Sequence, residues 1–234
     1  MRILGKSTEE VGNRRTALPI AKDGYPFIIP MALASLLSGL MGWGYITAVC
    51  CGITLFVIYF FRNPARTPPS SESAIVSPAD GRVLEVTSLL ENRFLHREAV
   101  KISIFMSLFD VHVNRSPIGG RVMERIYQPG KFFTANSDKS SLLNEQNALL
   151  LCSRDGFKIL FIQIAGIIAR RIVCYVQEGN VLKMGQIFGM IRFGSRVEVF
   201  LPSSVDIRVR VGESVKAGET ILGYKNAKKK KDRY

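Results

Sequence analysis

Positions 24 to 61 contain no Asp, Glu, Lys or Arg and are mostly apolar. One membrane-crossing helix needs about 20 such residues, so the stretch is too long for a single straight span. Met41-Gly42-Trp43-Gly44-Tyr45 supplies a break, with glycines for a turn and aromatics suited to a membrane interface. The pattern therefore predicts a helical hairpin with limbs of about 26–40 and 46–61, each slightly short of a full span. Arg14, Arg15 and Lys22 precede it, and Arg62 and Arg66 follow it. Basic flanks on both sides place both ends on the cytoplasmic side. A signal peptide is a poorer reading, because the stretch is too long and no small-residue cleavage site follows. A buried helix pair in a soluble core is the other alternative, although such cores rarely run this long without a charge.

The pattern changes after the hairpin. Segment 62–75 holds Pro64, Pro68, Pro69 and three serines and reads as a linker, whereas 1–23 is polar and loosely ordered. From 76 to 234 the apolar period is mostly two: 101–105, 196–200 and 207–211 alternate, and 148–152 and 158–164 read as buried strands. Segment 166–177 fits either helix or strand. The expected fold class is mostly β. Gly179-x-x-x-Lys183-x-Gly185 recurs as Gly212-x-x-x-Lys216-x-Gly218, which predicts two similar β-hairpin units packed together. The glycine and valine spacing resembles the barrel-sandwich domains that carry biotinyl or lipoyl groups, and Ser77 to Val83 resembles a strand entry of that class. Such a likeness speaks to fold, not function.

Composition narrows the partners. The chain has 234 residues, 47% of them hydrophobic and 22% charged, with a formal net charge of +13. This excess of cations suggests a polyanionic partner, either nucleic acid or an anionic membrane surface. No basic groove interleaved with aromatics and no finger motif supports nucleic acid. The tail 225–234 is strongly basic; beside a membrane hairpin it reads as attraction to acidic head groups, about 1 kcal/mol per cation, or as a solvated terminus. Cys50, Cys51, Cys152 and Cys174 form no CxxC pair and no disulfide framework, and with only two histidines no metal site is expected. The cysteines fit a reducing compartment, with Cys152 and Cys174 as packing residues.

Four segments could carry chemistry: Ser77 to Val83; Phe105 to Pro117; Tyr127 to Phe132 with Asn136, Ser137-Asp138-Lys139 and Asn144-Glu145; and Arg192 to Arg196. At Gly194-Ser195 an unshielded glycine carbonyl precedes a hydroxyl, so the serine could attack its own preceding peptide bond. That needs a base and an orienting acid. His112 is the plausible base; Asp80 and Asp110 are among the acids. Each has a plainer reading: Gly-Ser and Pro-Ala-Asp80-Gly are common turn sequences, and His112 between two valines fits an interior hydrogen-bonded histidine. His96 has no supporting motif and reads as surface. Arg62 and Arg66 read as snorkelling anchors, or as contacts to lipid phosphate.

Taken together and in this order, the four segments resemble the phosphatidylserine decarboxylases, in their short, membrane-anchored bacterial form. The resemblance runs from about Tyr25 to Tyr224 and includes Phe60-Phe61-Arg62-Asn63-Pro64. It implies internal serinolysis between Gly194 and Ser195, giving chains 1–194 and 195–234 that stay together, with Ser195 becoming a covalent pyruvoyl group. That ketone serves as the electron sink for decarboxylating phosphatidylserine to phosphatidylethanolamine, with no metal, on the cytoplasmic side of the inner membrane. Asp80 matches the aspartate that supports the base, and His112 a histidine of proton transfer. Many relatives carry a second histidine where this chain has Arg115, so Arg115 either leaves both jobs to His112 or binds the substrate carboxylate or phosphate. Arg196 stands where many relatives have threonine. Asn136, Asn144 and Glu145 fit as pocket lining or braces of the scissile loop. Other readings remain: a decarboxylase of a related seryl lipid such as archaetidylserine, or a membrane-tethered lipoyl-like adaptor that keeps Gly194-Ser195 intact. Exposed barrel edges favour a higher oligomer, such as a dimer.

Overall fold

The structure is a computed structural model and describes residues 19–130, 144–166, 171–192 and 195–226. The uncharged stretch forms two antiparallel helices, α1 (Tyr25–Leu40) and α2 (Gly44–Phe60), entered through a short 3-10 turn at Lys22–Gly24. The break falls within the expected Met41–Tyr45 segment, where Gly42 takes φ 74°, a conformation that favours glycine. The pair is packed inside out. Ser35, Ser38 and Thr54 are buried between the helices, where Ser35 Oγ lies 3.3 Å from Thr54 Oγ1 and Thr47 Oγ1 donates to Ser38 Oγ at 3.0 Å. Leu33, Leu36, Leu37, Ile46, Val49 and Leu55 point outward and are exposed. Small hydroxyl residues between helices and leucines outside is the arrangement of a pair surrounded by lipid. The segment Lys22–Leu40 is long and apolar enough to cross a membrane, and Gly44–Phe60 is somewhat shorter.

The rest is β-structure. An eight-stranded sheet has the order β13-β2-β3-β11-β7-β6-β5-β9, and two three-stranded sheets have the orders β1-β14-β12 and β4-β10-β8. The strands are β1 (Ala74–Val76), β2 (Gly81–Glu91), β3 (Arg97–Met106), β4 (Val113–Arg115), β5 (Gly120–Gln128), β6 (Gln146–Cys152), β7 (Lys158–Ala165), β8 (Arg171–Cys174), β9 (Val181–Leu182), β10 (Ile187–Arg192), β11 (Ser195–Pro202), β12 (Asp206–Ile207), β13 (Ser214–Val215) and β14 (Ile221–Tyr224). The main core lies on the inner face of the large sheet, built from Ile102, Ile104, Met106, Leu149, Leu151, Phe161, Val197 and Val199 with Phe188 and Leu222 from the small sheets. Alternation located β3 and β11, and the apolar runs read as buried strands located β6 and β7. The ambiguous 166–177 segment contains β8. Of the expected strand at 207–211 only Ile207 is in a strand, the two-residue β12, which pairs with Tyr224 and Gly223 of β14.

The glycine repeat does not make two hairpins. β9 joins β5 and β13 joins β2 at opposite edges of the large sheet, while β10 and β14 run through the middle of the small sheets. The turns between them bond elsewhere: Gly185 N donates to Ser116 O and Gly218 N to Ser77 O, both at 2.8 Å. Those acceptors expose a second repeat, Ser77-Pro-Ala-Asp-Gly-Arg-Val83 and Ser116-Pro-Ile-Gly-Gly-Arg-Val122. In both copies the serine Oγ lies 2.7 Å from the carbonyl two residues on. In both copies, too, a Cβ on the glycine before Arg would collide with a neighbouring strand, 2.0 Å from Phe105 O for Gly81 and 2.5 Å from Cys152 O for Gly120. The β-part is thus two like halves, each a Ser-Pro loop locked to a Gly-Lys-Gly turn. They differ at one telling position: Asp80 in the first half is Gly119 in the second.

Candidate active site

Ser195 opens β11, the strand flanked by β3 and β7, in register with Met106 on one side and Ala165 on the other. Alternation along β11 sends Ser195, Val197 and Val199 into the core and Arg196 and Glu198 to the other face. There the Arg196 guanidinium meets Glu198 at 3.5 Å, so Arg196 points away from Ser195. Ser195 is fully buried, and its Oγ lies 3.3 Å from Met106 Sδ. A thioether is a weak acceptor, so among the described residues losing the hydroxyl would strand no strong partner. A group without that oxygen fits the same place.

His112 sits at the end of the loop that leaves β3 at Met106, the residue beside Ser195, and its carbonyl accepts from Ile191 N at 3.3 Å. The ring is fully buried and stacks on Phe60 of α2, centroids 4.3 Å apart. Nδ1 lies 3.0 Å from Asp110 O, while Nε2 has no hydrogen-bond partner among the described residues. Burial pushes its pKa down to about 4, against the pull of the Asp110 carbonyl and carboxylate. At neutral pH the ring is therefore a neutral base with an open nitrogen.

Asp80 stands at the mouth of β2, one strand over from β3. Its carboxylate is buried and saturated: Arg66 Nη2 donates to Oδ2 at 2.6 Å and Ala217 N to Oδ1 at 2.7 Å. Desolvation raises its pKa, while the Ala217 and Arg66 bonds lower it and Asp110 adds a repulsive push. Asp80 is thus within electrostatic reach of the Asp110–His112 loop but bonds Arg66 and Ala217. Arg66 is not a snorkelling anchor: its side chain is 9% exposed and bridges Asp80 and Glu219. Arg62 does stay at the surface, stacked on Tyr59 at 3.9 Å.

Arg115, at the end of the short strand β4 that follows His112, faces the hairpin exit. Its guanidinium donates to Gly185 O at 3.1 Å and to Asn63 Oδ1 and Pro64 O at 3.0 Å each. Arg115→Met would take away the donors to Gly185 O, Asn63 Oδ1 and Pro64 O, at a cost of about 1–3 kcal/mol for each group left unsatisfied. Denaturant unfolding should show a loss of about 3 kcal/mol or more. Full stability with lost lipid turnover would instead mark Arg115 as a substrate contact.

Asn144 Nδ2 donates to Ala165 O at 2.6 Å, and Glu145 Oε1 accepts from Tyr127 OH at 3.0 Å and Ile172 N at 3.3 Å. Both residues therefore brace the strand end beside Ser195. Gly194, Asn136, Asp138, Lys139 and the tail beyond Asn226 lie outside the described residues. His96 is an exposed turn residue with φ 49°, and Cys152 and Cys174 are only half-buried. Among the described residues no group of three or more His, Cys, Asp and Glu side chains could hold a metal ion.

Sequence reading missed a buried polar chain running from the serine. Asn114 Nδ2 lies 3.7 Å from the same Met106 sulfur, Gln163 Nε2 donates to Asn114 Oδ1 at 2.8 Å, and Asn147 Nδ2 donates to Gln163 Oε1 at 2.9 Å. All three amides are fully buried. The available signal was clearest at Gln163, a lone amide in the apolar run of β7, which is costly unless it is paired.

Comparison with known proteins agrees with this geometry. The family model described as phosphatidylserine decarboxylase matches residues 53–223. The phosphatidylserine decarboxylase proenzyme of Geotalea uraniireducens (strain Rf4) is 48% identical over 210 residues, covering 90% of this chain and 98% of the relative. Those of Syntrophotalea carbinolica and Syntrophus aciditrophicus are 50% and 51% identical, covering 88% and 87% of this chain and 96% of each relative.

Proposed function

Because the chain belongs to the phosphatidylserine decarboxylase family, we propose that it converts phosphatidylserine to phosphatidylethanolamine, using a pyruvoyl group made from its own Ser195. The observation that carries this reading is the near full-length identity to proenzymes of that name.

Ser195 Oγ attacks the Gly194 carbonyl carbon as His112 Nε2 takes the hydroxyl proton. The C–N bond breaks, and an ester links Gly194 to the serine oxygen. Loss of the α-proton then expels that oxygen, leaving the Gly194 carboxylate and a dehydroalanine at 195. Water replaces its nitrogen, releasing ammonia and leaving the ketone. Asp80, pinned by Arg66 and Ala217, supports the imidazolium electrostatically. The ketone supplies the electron sink that lets a bound seryl carboxylate leave as carbon dioxide. His112 then moves protons at the reacting centre, and burial of Ser195 and His112 strengthens charge interactions there.

Chains 1–194 and 195–234 remain together as one enzyme, and the β-part is read as a biotinyl/lipoyl-type barrel sandwich, with a dimer as the favoured assembly. The helical pair holds the site at head-group height. Its basic flanks and the basic tail favour the cytoplasmic face of the inner membrane and an anionic lipid surface.

Denaturing intact-mass measurement of the purified protein should give chain 1–194 and a short chain starting at 195, one ammonia lighter than simple hydrolysis predicts. One unbroken chain of 26.1 kDa from active cells would sink the mechanism. Turnover of labelled phosphatidylserine beside archaetidylserine fixes the lipid.

A further inference from the structure

We propose that the loop between β3 and β4 is a second membrane contact, with Phe109 seated in the interfacial layer of a phospholipid bilayer beside the foot of α2. This rests on the membrane-anchored reading above and deepens it. Phe109 is 67% exposed at the tip of the loop. The loop beneath it is braced: Asp110 Oδ2 accepts from Ser107 N and Ser107 Oγ at 2.7 Å each. The Phe109 carbonyl is bolted to the last turn of α2, accepting from Tyr59 OH at 3.1 Å and from Arg62 Nη2 at 2.6 Å. An apolar ring held outward by a braced backbone, beside a helix already dressed for lipid, continues the hydrophobic surface of the hairpin.

The level is also right. α1 begins where α2 ends, so exposed Tyr25, Phe27 and Tyr59 stand around the same end of the hairpin. Phe109 adds a ring to this aromatic collar, and Arg62 stacked on Tyr59 supplies the cation that sits at phosphate depth. Aromatics at one end of a helix pair, with Trp43 and Tyr45 at the other, mark the two faces of a bilayer. Phe109 is followed by Asp110 and then, after Val111, by His112. A bilayer that holds Phe109 therefore fixes the height of the catalytic base above the lipid plane, where the head group arrives.

Two measurements test it. With Trp43, the sole tryptophan, replaced by phenylalanine, Phe109→Trp in full-length protein should be quenched by vesicles of brominated phospholipid. Phe109→Asp should raise the apparent KM for phosphatidylserine in vesicles roughly tenfold with kcat kept. Self-cleavage and turnover of dispersed short-chain phosphatidylserine should stay unchanged. Absent quenching overturns the proposal, as does equal loss on both substrates or loss on neither. A parent protein that neither cleaves itself nor turns over short-chain lipid fails on the decarboxylase reading instead, and the quenching still decides the membrane contact.

Discussion

Ser195→Ala yields one unbroken 26.1 kDa chain with no detectable lipid decarboxylation. The substitution removes the attacking oxygen, and with it the only source of the ketone in the proposed reaction, so scission and turnover vanish together. The fold should survive. In the intact chain Ser195 Oγ leans only on the sulfur of Met106, at 3.3 Å among the described contacts, and alanine fills the buried strand position without a clash. A melt within a few degrees of that of the unsubstituted protein and a normal β-rich circular dichroism spectrum would verify that. Two fragments from the alanine variant, or lipid turnover by its unbroken chain, would remove Ser195 from the mechanism.

The second large effect is at His112. His112→Ala should slow self-cleavage roughly a hundred- to ten-thousand-fold, the usual worth of a positioned general base. His112→Phe preserves the stack on Phe60 and separates packing from proton transfer: it should fold well and cleave as poorly. The pH profile gives an independent reading. Burial lowers the His112 pKa to about 4, so the base is already neutral well below neutrality. Cleavage should hold a plateau from pH 7 to about 5 and fall only as pH approaches 4. A fall centred near 6.5 would mean an exposed histidine does the work. The same shift has a stability consequence. A depressed histidine pKa contributes stability that is fully present above the unfolded value of 6.5 and is lost as pH drops towards 4.

How much of this was legible beforehand depended on the kind of signal. The hairpin was readable because a bilayer imposes a long uncharged run, and two glycines mark its turn. β3 and β11 were readable from alternation, and β6 and β7 from apolar runs that are buried on both faces. The partners of the glycine repeat were not: turn residues show where the chain bends, but which sheet a two-residue strand joins is decided by distant hydrogen bonds such as Gly218 N to Ser77 O. Arg66 failed for the same reason. A cation just after a membrane segment looks like an anchor until the fold carries Asp80 to within 2.6 Å of it. Ser195, His112 and Asp80 carry no periodicity at all, and local spacing alone would not have set them apart from ordinary turn residues. The resemblance of four ordered segments singled them out, and the fold puts Ser195 at the start of β11, His112 just before β4 and Asp80 just before β2.

The segment after the proposed scissile bond supplies β11 to the middle of the large sheet, β13 to its edge, and β12 and β14 to a small sheet. A cut before Ser195 therefore frees no surface piece; it leaves a short polypeptide threaded through two sheets and the shared core. While the fold holds, the fragment cannot exchange with that of another molecule. Once the fold is lost, recovery becomes a meeting of two separate molecules, slowed by dilution and short of the loop closure that the uncut backbone once provided. The proposed maturation would thus turn a chain that refolds as one molecule into an assembly that gets one chance.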